Sequence, residues 1–148
     1  MHISTQFIKA EDCIPLRSLV LRPGQPLSKC PFPEDNDSTT FHLGAMVDGK
    51  IISVGSFLKI SCPQLQHAQN AYQLRGMATN PDARSLGAGT ELLKKAESII
   101  VDRGGDLLWF NAREKAFRFY EKLGYLEVDG KITVSEYGPH KVMLKELR

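Results

Sequence analysis

The sequence predicts a mixed α/β fold, with one central sheet and helices on both of its faces. Apolar residues recur at helical spacing from Thr90 to about Val101, after a strand-like segment that ends at Thr79. A second strand and helix follow from Leu107 to Gly124. Two strands of one sheet that are joined by a crossover helix run parallel to each other, so this stretch predicts a parallel pair of strands. Asp48-Gly49 predicts a hairpin, which adds antiparallel strands.

Length and composition predict a single globular domain over residues 1–148. The chain has 148 residues, of which 42% are hydrophobic and 24% charged, so it can bury a core and has no signature of disorder. The net charge of +2 is spread along the chain without a basic run. No apolar run approaches the ~20 residues of a membrane span, and the first residues do not resemble a signal peptide. We therefore expect no nucleic-acid or membrane partner.

The cysteines are Cys13, Cys30 and Cys62, an odd number without the spacing of a metal site. This pattern indicates reduced thiols in a cytoplasmic protein, and we expect no metal ion. A nucleophilic cysteine is the functional alternative, but no sequence context singles one out.

The first third of the chain predicts a strand, a helix and a long loop. Ile3 to Ile8 is strand-like, and Glu11 to about Leu21 fits a helix. The residues expected on its buried side are Ile14, Leu16, Leu19, Val20 and Leu21. From Pro23 to Thr39 the chain is rich in proline, aspartate and turn residues, and a loop of this length is usually functional or mobile.

The hairpin is expected over Thr40 to Lys59, with alternate apolar residues on one face. His42 falls on the other face, where a lone histidine is more often structural or solvated than catalytic. Ser61 to Asn70 reads as a linker into the central strand, Tyr72 to Thr79.

The last third is expected to hold a helix over Ala112 to Gly124 and then short closing strands. The strands are predicted at Leu126 to Val128, Ile132 to Glu136 and Lys141 to Leu147, with a turn at Gly138-Pro139-His140.

The loop Arg84 to Gly89 has the features of an anion site. Amides at the start of a helix lack internal partners, and the helix dipole places partial positive charge there. Gly87 and Gly89 allow close approach of a ligand, and Arg84 suits a phosphate. The spacing is neither a Walker loop nor a three-glycine dinucleotide fingerprint. A glycine-rich surface turn before a helix is the alternative.

Arg84-x-x-Gly87-x-Gly89 resembles the R/Q-x-x-G-x-G/A signature of the GNAT superfamily of N-acetyltransferases. As in that family, it follows a strand and precedes a helix. A second match follows at the right distance, with Asn111-Ala112-Arg113 at the junction of a strand and a helix and Phe119 to Tyr125 (FYEKLGY) at the end of that helix. The resemblance is specific over roughly Leu74 to Tyr125.

The resemblance implies a mostly antiparallel sheet with one splayed parallel pair of strands, and coenzyme A with its pantetheine arm between them. Acetyl-CoA is then the expected co-substrate. The residues implied to bind it fall into three sets. They are Met77, Ala78 and Thr79 through backbone groups, Arg84, Ser85, Leu86, Gly87, Ala88, Gly89 and Thr90 at the pyrophosphate, and Asn111 and Phe117 beside the pantetheine and thioester.

The resemblance also implies two catalytic groups. The amide of Met77 would stabilise the oxyanion that forms when an amine attacks the thioester, and Tyr120 would protonate the leaving thiolate. A core aromatic with a satisfied hydroxyl is the alternative for Tyr120. Many members carry a glutamate base where this chain has Gln73, which cannot accept a proton at neutral pH. Deprotonation of the amine is therefore left to a water, a carboxylate or a histidine.

These implications describe an N-acetyltransferase that acts by direct attack on the primary amine of a small-molecule or amino-acid-like acceptor. The alternative is a non-catalytic acyl-CoA-binding or regulatory module. Tyr120 and the intact loop favour the enzyme, whereas Gln73 slightly favours the module. A homodimer is compatible with the resemblance, because dimers are common in the superfamily.

The acceptor side has several candidate residues. In the resembled superfamily the region between the first helix and the second strand lines it, which makes Arg22, Phe32 and Glu34 candidate contacts, with an exposed loop as the alternative. Tyr72 and Arg75 are further candidates, for which core packing or a surface ion pair is the alternative. The stretch Glu136 to His140 is a second candidate acceptor loop.

Overall fold

A computed structural model describes residues 2–135 and 138–147 of the chain. The strands are β1 Ser4–Ile8, β2 Phe41–Val47, β3 Lys50–Leu58, β4 Ala71–Thr79, β5 Leu107–Arg113, β6 Leu126–Glu127, β7 Thr133–Ser135 and β8 Gly138–Glu146. The α-helices are α1 Ala10–Leu16, α2 Ala88–Asp102 and α3 Phe117–Lys122. A π-helical turn, Arg17–Leu21, continues α1, and short 3-10 turns lie at Leu27–Lys29, Pro81–Ala83 and Glu114–Ala116.

The chain forms two compact units. The first comprises Met1–Leu58 and Leu74–Ile99, and the second comprises Lys59–Gln73 and Ile100–Arg148. Strand β4 therefore contributes its first residues to the second unit and the rest to the first. The single domain over residues 1–148 stays a prediction.

In the first unit the strands follow the order β1-β2-β3-β4. Both β1–β2 and β2–β3 are antiparallel. The turn between β2 and β3 places Asp48 and Gly49 at φ 51° and 78°, as a type I′ turn requires, and this confirms the predicted hairpin.

Helices lie on both faces of this part of the sheet. Val54 of β3 packs in a core cluster with Cys13 and Leu16 of α1. The next residue, Gly55, faces the other way, since a Cβ built there would lie 3.1 Å from Leu92 of α2. Because successive residues of a strand point to opposite faces, α1 and α2 cover opposite sides of β3.

The second unit contains the parallel pair. Its register joins Ala71–Gln73 of β4 to Leu107–Trp109 of β5, although both strands continue further along the chain. On its other side β5 pairs antiparallel with β8 over its whole length, and β8 also pairs with β6 and β7. These pairings confirm the predicted fold class, a mostly antiparallel mixed sheet with one parallel pair.

Opposite faces of β5 carry different cores. Trp109 lies in a cluster with Cys62, Ala71 and Leu107, and its indole N–H donates to the Ile60 carbonyl at 2.9 Å. A cluster of rings lies around Phe110, whose centroid is 4.2 Å from that of Tyr120 and 5.0 Å from that of Tyr125.

One predicted buried residue and one predicted helix start are wrong. Leu19, expected on the buried side of the first helix, is 55% exposed, because the helix changes from α to π winding after Leu16 and the Arg22 amide donates to the Arg17 carbonyl. Ala112 and Arg113 were expected to open a helix but belong to β5, where they pair with Lys141 and His140.

Two further boundaries differ. Gly138, Pro139 and His140 were predicted as a turn but form the start of β8, and the connection at positions 136–137 lies outside the described residues. Helix α2 begins at Ala88, two residues before the predicted start at Thr90, so part of the glycine motif is helical.

A buried ion pair holds the long loop that follows the first helix. The Arg17 guanidinium is 1% exposed and donates to both oxygens of Asp35, at 2.7 and 2.9 Å. It also donates to the Cys30 carbonyl at 3.0 Å and to Ser56 Oγ at 2.8 Å. Asp35 in turn accepts the amide of Phe32 at 2.9 Å. The middle of the loop, from Cys30 to Asp35, is thereby fixed to one cation.

His42 belongs to the same network. Its Nε2 lies 2.9 Å from the Asp35 carbonyl oxygen, which can only accept, so Nε2 carries the proton. Its Nδ1 then accepts from the Ser56 hydroxyl at 2.7 Å. With both ring nitrogens engaged and the side chain buried, His42 is a structural residue.

Removing Asp35 should destabilise the protein strongly, because it leaves the buried Arg17 charge without a partner. We expect Asp35→Ala to lower the free energy of unfolding in urea at pH 7 by about 3–5 kcal/mol. Asp37→Ala, at an exposed position in the same loop, should change it by no more than about 0.5 kcal/mol. Equal losses in the two variants would contradict this assignment.

The stability difference should also depend on pH. Burial alone would raise the pKa of Asp35, but hydrogen bonds from Arg17 and from the Phe32 amide hold it below its ordinary value. A lowered pKa in the folded state contributes stability above the unfolded pKa, about 3.9, and that contribution is lost as the pH falls further. The gap between wild type and Asp35→Ala should therefore shrink on acidification below about pH 4.

Candidate active site

The predicted thioester-side backbone lies at the end of β4 in the first unit. Met77 is half-buried there, Ala78 packs in the core cluster with Cys13 and Leu16, and the Thr79 hydroxyl lies 2.9 Å from Ser53 Oγ. With those side chains engaged in packing and hydrogen bonding, Ala78 and Thr79 can offer a ligand mainly their backbone groups.

Gly76 introduces an irregularity immediately before Met77. Its φ of +66° is one that a side chain rarely tolerates, although it lies inside a strand. A Cβ at this position would lie 2.8 Å from Cε2 of Phe32 and 3.0 Å from Nε of Arg17. The long loop therefore packs directly on the backbone at the point where the chain turns toward Met77.

The glycine motif forms a turn ahead of α2. Asn80 opens the connection by accepting the amide of Asp82 at 3.0 Å on its side-chain oxygen. Ser85 and Gly87 then adopt φ values of 70° and 82°, and the Ser85 hydroxyl donates to the Arg84 carbonyl. Residues 84–87 are exposed.

The start of α2 presents amides that precede its helical ladder. The first intrahelical hydrogen bond runs from the Glu91 amide to the Gly87 carbonyl at 3.1 Å. The amides of Ala88, Gly89 and Thr90 precede this hydrogen bond in the chain and have no i−4 partner in the helix. A Cβ at Gly87 would meet nothing within 4 Å, so the space above this turn is open.

The other predicted residues lie in the second unit. Asn111 is exposed on β5 and pairs with Val142 of β8. Phe117 begins α3, and the Lys141 ammonium lies 4.1 Å from the centre of its ring. Gln73 is buried on β4, opposite Trp109.

Tyr120 is a buried side chain of α3, stacked at a tilt on Phe110. Burial raises the pKa of its phenol well above the ordinary value. The hydroxyl therefore stays protonated across the neutral range, so no phenolate is present there to act as a base.

Two of the candidate acceptor residues, Phe32 and Arg75, are in contact in the first unit. The guanidinium carbons of Arg17 and Arg75 lie 3.9 and 4.3 Å from the centre of the Phe32 ring. Glu34 accepts from Arg75 Nη1 at 3.3 Å. The Arg22 guanidinium donates to the neighbouring Leu21 carbonyl.

Residues 2–135 and 138–147 lack two features, a cluster of metal ligands and a membrane-spanning helix. That part of the chain has no cluster of three or more histidine, cysteine or acidic side chains placed to hold a metal ion. None of its helices combines the length and the apolar character needed to cross a membrane.

A family profile decides the identity of the chain. The profile of the Acetyltransferase (GNAT) family matches residues 10–125, which is most of the chain. The chain belongs to the GNAT family of acetyltransferases, and it is an acyltransferase enzyme. The resemblance predicted from the glycine motif is thereby confirmed.

Individual acetyltransferases resemble this chain in sequence or in fold. The chain is 39% identical over 146 residues to YitI of Bacillus subtilis strain 168, an uncharacterized N-acetyltransferase, covering 99% of this chain and 97% of YitI. A proposed N-acetyltransferase from Lactobacillus plantarum has the same fold, with a TM-score of 0.78 and 20% identity over all of both chains. An aminoglycoside 6′-N-acetyltransferase solved with coenzyme A has a TM-score of 0.71 and 14% identity, covering 100% and 98%.

Three residues of this GNAT protein were not singled out from the sequence. Arg17 and Asp35 have no local signal, because they are separated by eighteen positions and meet only in the folded chain. Gly76 did have one, since a glycine inside a strand commonly marks a bulge or a close approach of another segment.

Adding a side chain at Gly76 should cost more than its backbone conformation alone predicts. Both Gly76→Ala and Gly104→Ala place a Cβ at positive φ, which costs roughly 1–2 kcal/mol. Only at Gly76 does the Cβ also displace Phe32, because Gly104 has open space around it. We therefore expect a larger loss of unfolding free energy for Gly76→Ala in urea, and equal losses would contradict the packing described here.

Proposed function

We propose that this GNAT protein transfers the acetyl group of acetyl-CoA to the primary amine of a small-molecule or amino-acid-like acceptor by direct attack. The observation that carries the proposal is the turn before α2. There, two positive φ angles and an open glycine precede a set of helix-start amides. Three buried cysteines, none of them disulfide-bonded, suit the cytoplasm as the proposed setting. A homodimer stays a prediction.

The turn fits a diphosphate in both shape and charge. Helix-start amides and the positive end of the dipole attract an anion. The exposed Arg84 adds a fixed charge at the same turn. The bare Cα of Gly87 leaves room for phosphate oxygens, and a solved neighbour of the same fold carries coenzyme A. We assign Arg84 to Thr90 to the pyrophosphate.

The proposed catalytic groups follow from what acyl transfer requires. Acetyl-CoA supplies an activated acetyl group on a thioester. The amide of Met77 would receive the negative charge that develops on the carbonyl oxygen, with Met77, Ala78 and Thr79 binding the pantetheine through backbone groups. Tyr120, protonated at neutral pH, would give its proton to the sulfur as the carbon–sulfur bond breaks. Asn111 and Phe117 are proposed to line the thioester side.

Blocking the phosphate turn should abolish cofactor binding without unfolding the protein. In Gly87→Val the side chain fills the space assigned to phosphate oxygens, so we expect no detectable heat on calorimetric titration with coenzyme A. Gly104→Val is the matched control, with the same φ of 82° and equally open surroundings but no proposed ligand. It should bind as wild type does. Undiminished binding by Gly87→Val would overturn the assignment of this turn.

Removing the proposed acid should slow transfer while leaving binding intact. We expect Tyr120→Phe to reduce kcat by about 10²- to 10⁴-fold with an unchanged dissociation constant for acetyl-CoA. Thiol release from acetyl-CoA is measured across a panel of amines. Tyr125→Phe is the control, because Tyr125 is also buried against Phe110 but has no proposed role. Cofactor binding without any amine-dependent release in wild type would support a non-catalytic module instead.

A further inference from the structure

Two arginines flank Phe32, but they differ in how far their charge is satisfied. Arg17 is buried, and its Nη atoms donate to Asp35, Cys30 and Ser56. The side chain of Arg75 is 36% exposed. Arg75 is therefore the cation of this cluster that a ligand could reach.

Arg75 is held in place but has donors to spare. Among the residues that the structure describes, its guanidinium contacts the Phe32 ring at 4.3 Å and donates one hydrogen bond, from Nη1 to Glu34 Oε1 at 3.3 Å. A guanidinium has five N–H donors in a planar fork that matches an oxyanion in two places at once. Stacking on the ring fixes the plane of the fork before any ligand arrives.

The bond to Glu34 is one that a ligand can replace. Glu34 is itself 34% exposed and the contact is single and long, so water reaches the pair and weakens it. A ligand carboxylate that engaged the fork at two points would make the stronger contact. Glu34 thus occupies the position that an acidic group of a ligand would take.

The position of Arg75 in the chain connects it to the proposed reaction. It lies on β4 two residues before Met77, with Gly76 and its positive φ between them. The same ring that stacks on Arg75 packs on Gly76. An acceptor bound at Arg75 would therefore be held beside the backbone to which the proposed function assigns the thioester.

We propose that Arg75 binds a carboxylate of the acceptor, and that Glu34 is the internal carboxylate which the acceptor displaces. The acceptor class is then an amino-carboxylic acid, such as a free amino acid, rather than a simple amine. This inference rests on the proposed function and specifies its substrate. Arg75 is a specificity-determining residue in this assignment, with no part in the chemistry of transfer.

The test compares matched acceptors with and without an acidic group. The common amino acids and β-alanine are each assayed for amine-dependent thiol release beside the corresponding carboxamide, and 2-aminoethyl phosphate beside ethanolamine. We expect at least one acid to exceed its carboxamide in kcat/KM by about tenfold or more. A preference confined to the phosphate-bearing amine would overturn the carboxylate in favour of a phosphate.

Variants of the two partners should move KM in opposite directions. Arg75→Gln should raise KM for the acid by about tenfold or more and leave that for the carboxamide nearly unchanged. Glu34→Gln should lower KM for the acid, because the competing carboxylate is gone. Lys29→Gln, which removes an exposed positive charge from the same loop, should leave both values as in wild type.

Three further results would overturn the inference. They are a wild type that uses carboxamides as well as acids, an equal rise of both KM values in Arg75→Gln, and a rise for the acid in Glu34→Gln. Calorimetric titration of the wild type with acetyl-CoA separates this failure from failure of the proposed function. Without cofactor binding the function itself is wrong, whereas binding and transfer to uncharged amines would remove only the acceptor assignment.

Discussion

The first unit is arranged around the buried guanidinium of Arg17. A charge removed from water costs several kcal/mol unless a partner and further acceptors surround it, so the chain must bring acceptors to it. Asp35 supplies two oxygens and Cys30 a carbonyl, both from the long loop, and Ser56 supplies a hydroxyl from β3. Apolar residues of similar volume often replace such pairs without loss of stability. The main effect of the pair is therefore on where the loop lies.

The loop held in this position contacts β4, the strand that is proposed to carry the reaction. Asp35 accepts the amide of Phe32, and the Phe32 ring packs where Gly76 has no side chain. The backbone at Gly76 sets the direction of the next amide, that of Met77. A stretch with the composition of an irregular loop thus packs on β4 at the residue with positive φ, and a hydrogen bond to Asp35 holds the packing residue, Phe32. The same ring orients Arg75, so one aromatic side chain serves both the backbone and the proposed acceptor contact.

The parts of the structure that the sequence predicts well are those encoded locally. The type I′ turn at Asp48-Gly49 and the turn before α2 depend on residues a few positions apart. The errors arise where contacts between segments distant in the sequence set the local structure. Arg113 stays in β5 because it pairs with His140 of β8, and Leu19 turns outward because the helix widens at Arg17, whose guanidinium is held by the loop. Neither the Arg113–His140 pairing nor the Arg17–Asp35 contact can be predicted from the residues that adjoin it in the sequence.

The same contacts narrow the question of how the acceptor amine loses its proton. Gln73 has no basic group, and His42 has its Nε2 proton on a carbonyl and its Nδ1 lone pair on the Ser56 hydroxyl. Tyr120 is buried and fully protonated, so it can give a proton but not take one. These three buried side chains are thus unsuited to act as the base. In the proposed reaction the amine must arrive neutral or pass its proton to water, to an exposed carboxylate or to a histidine other than His42, which makes proton removal a property of the acceptor's surroundings rather than of these buried groups.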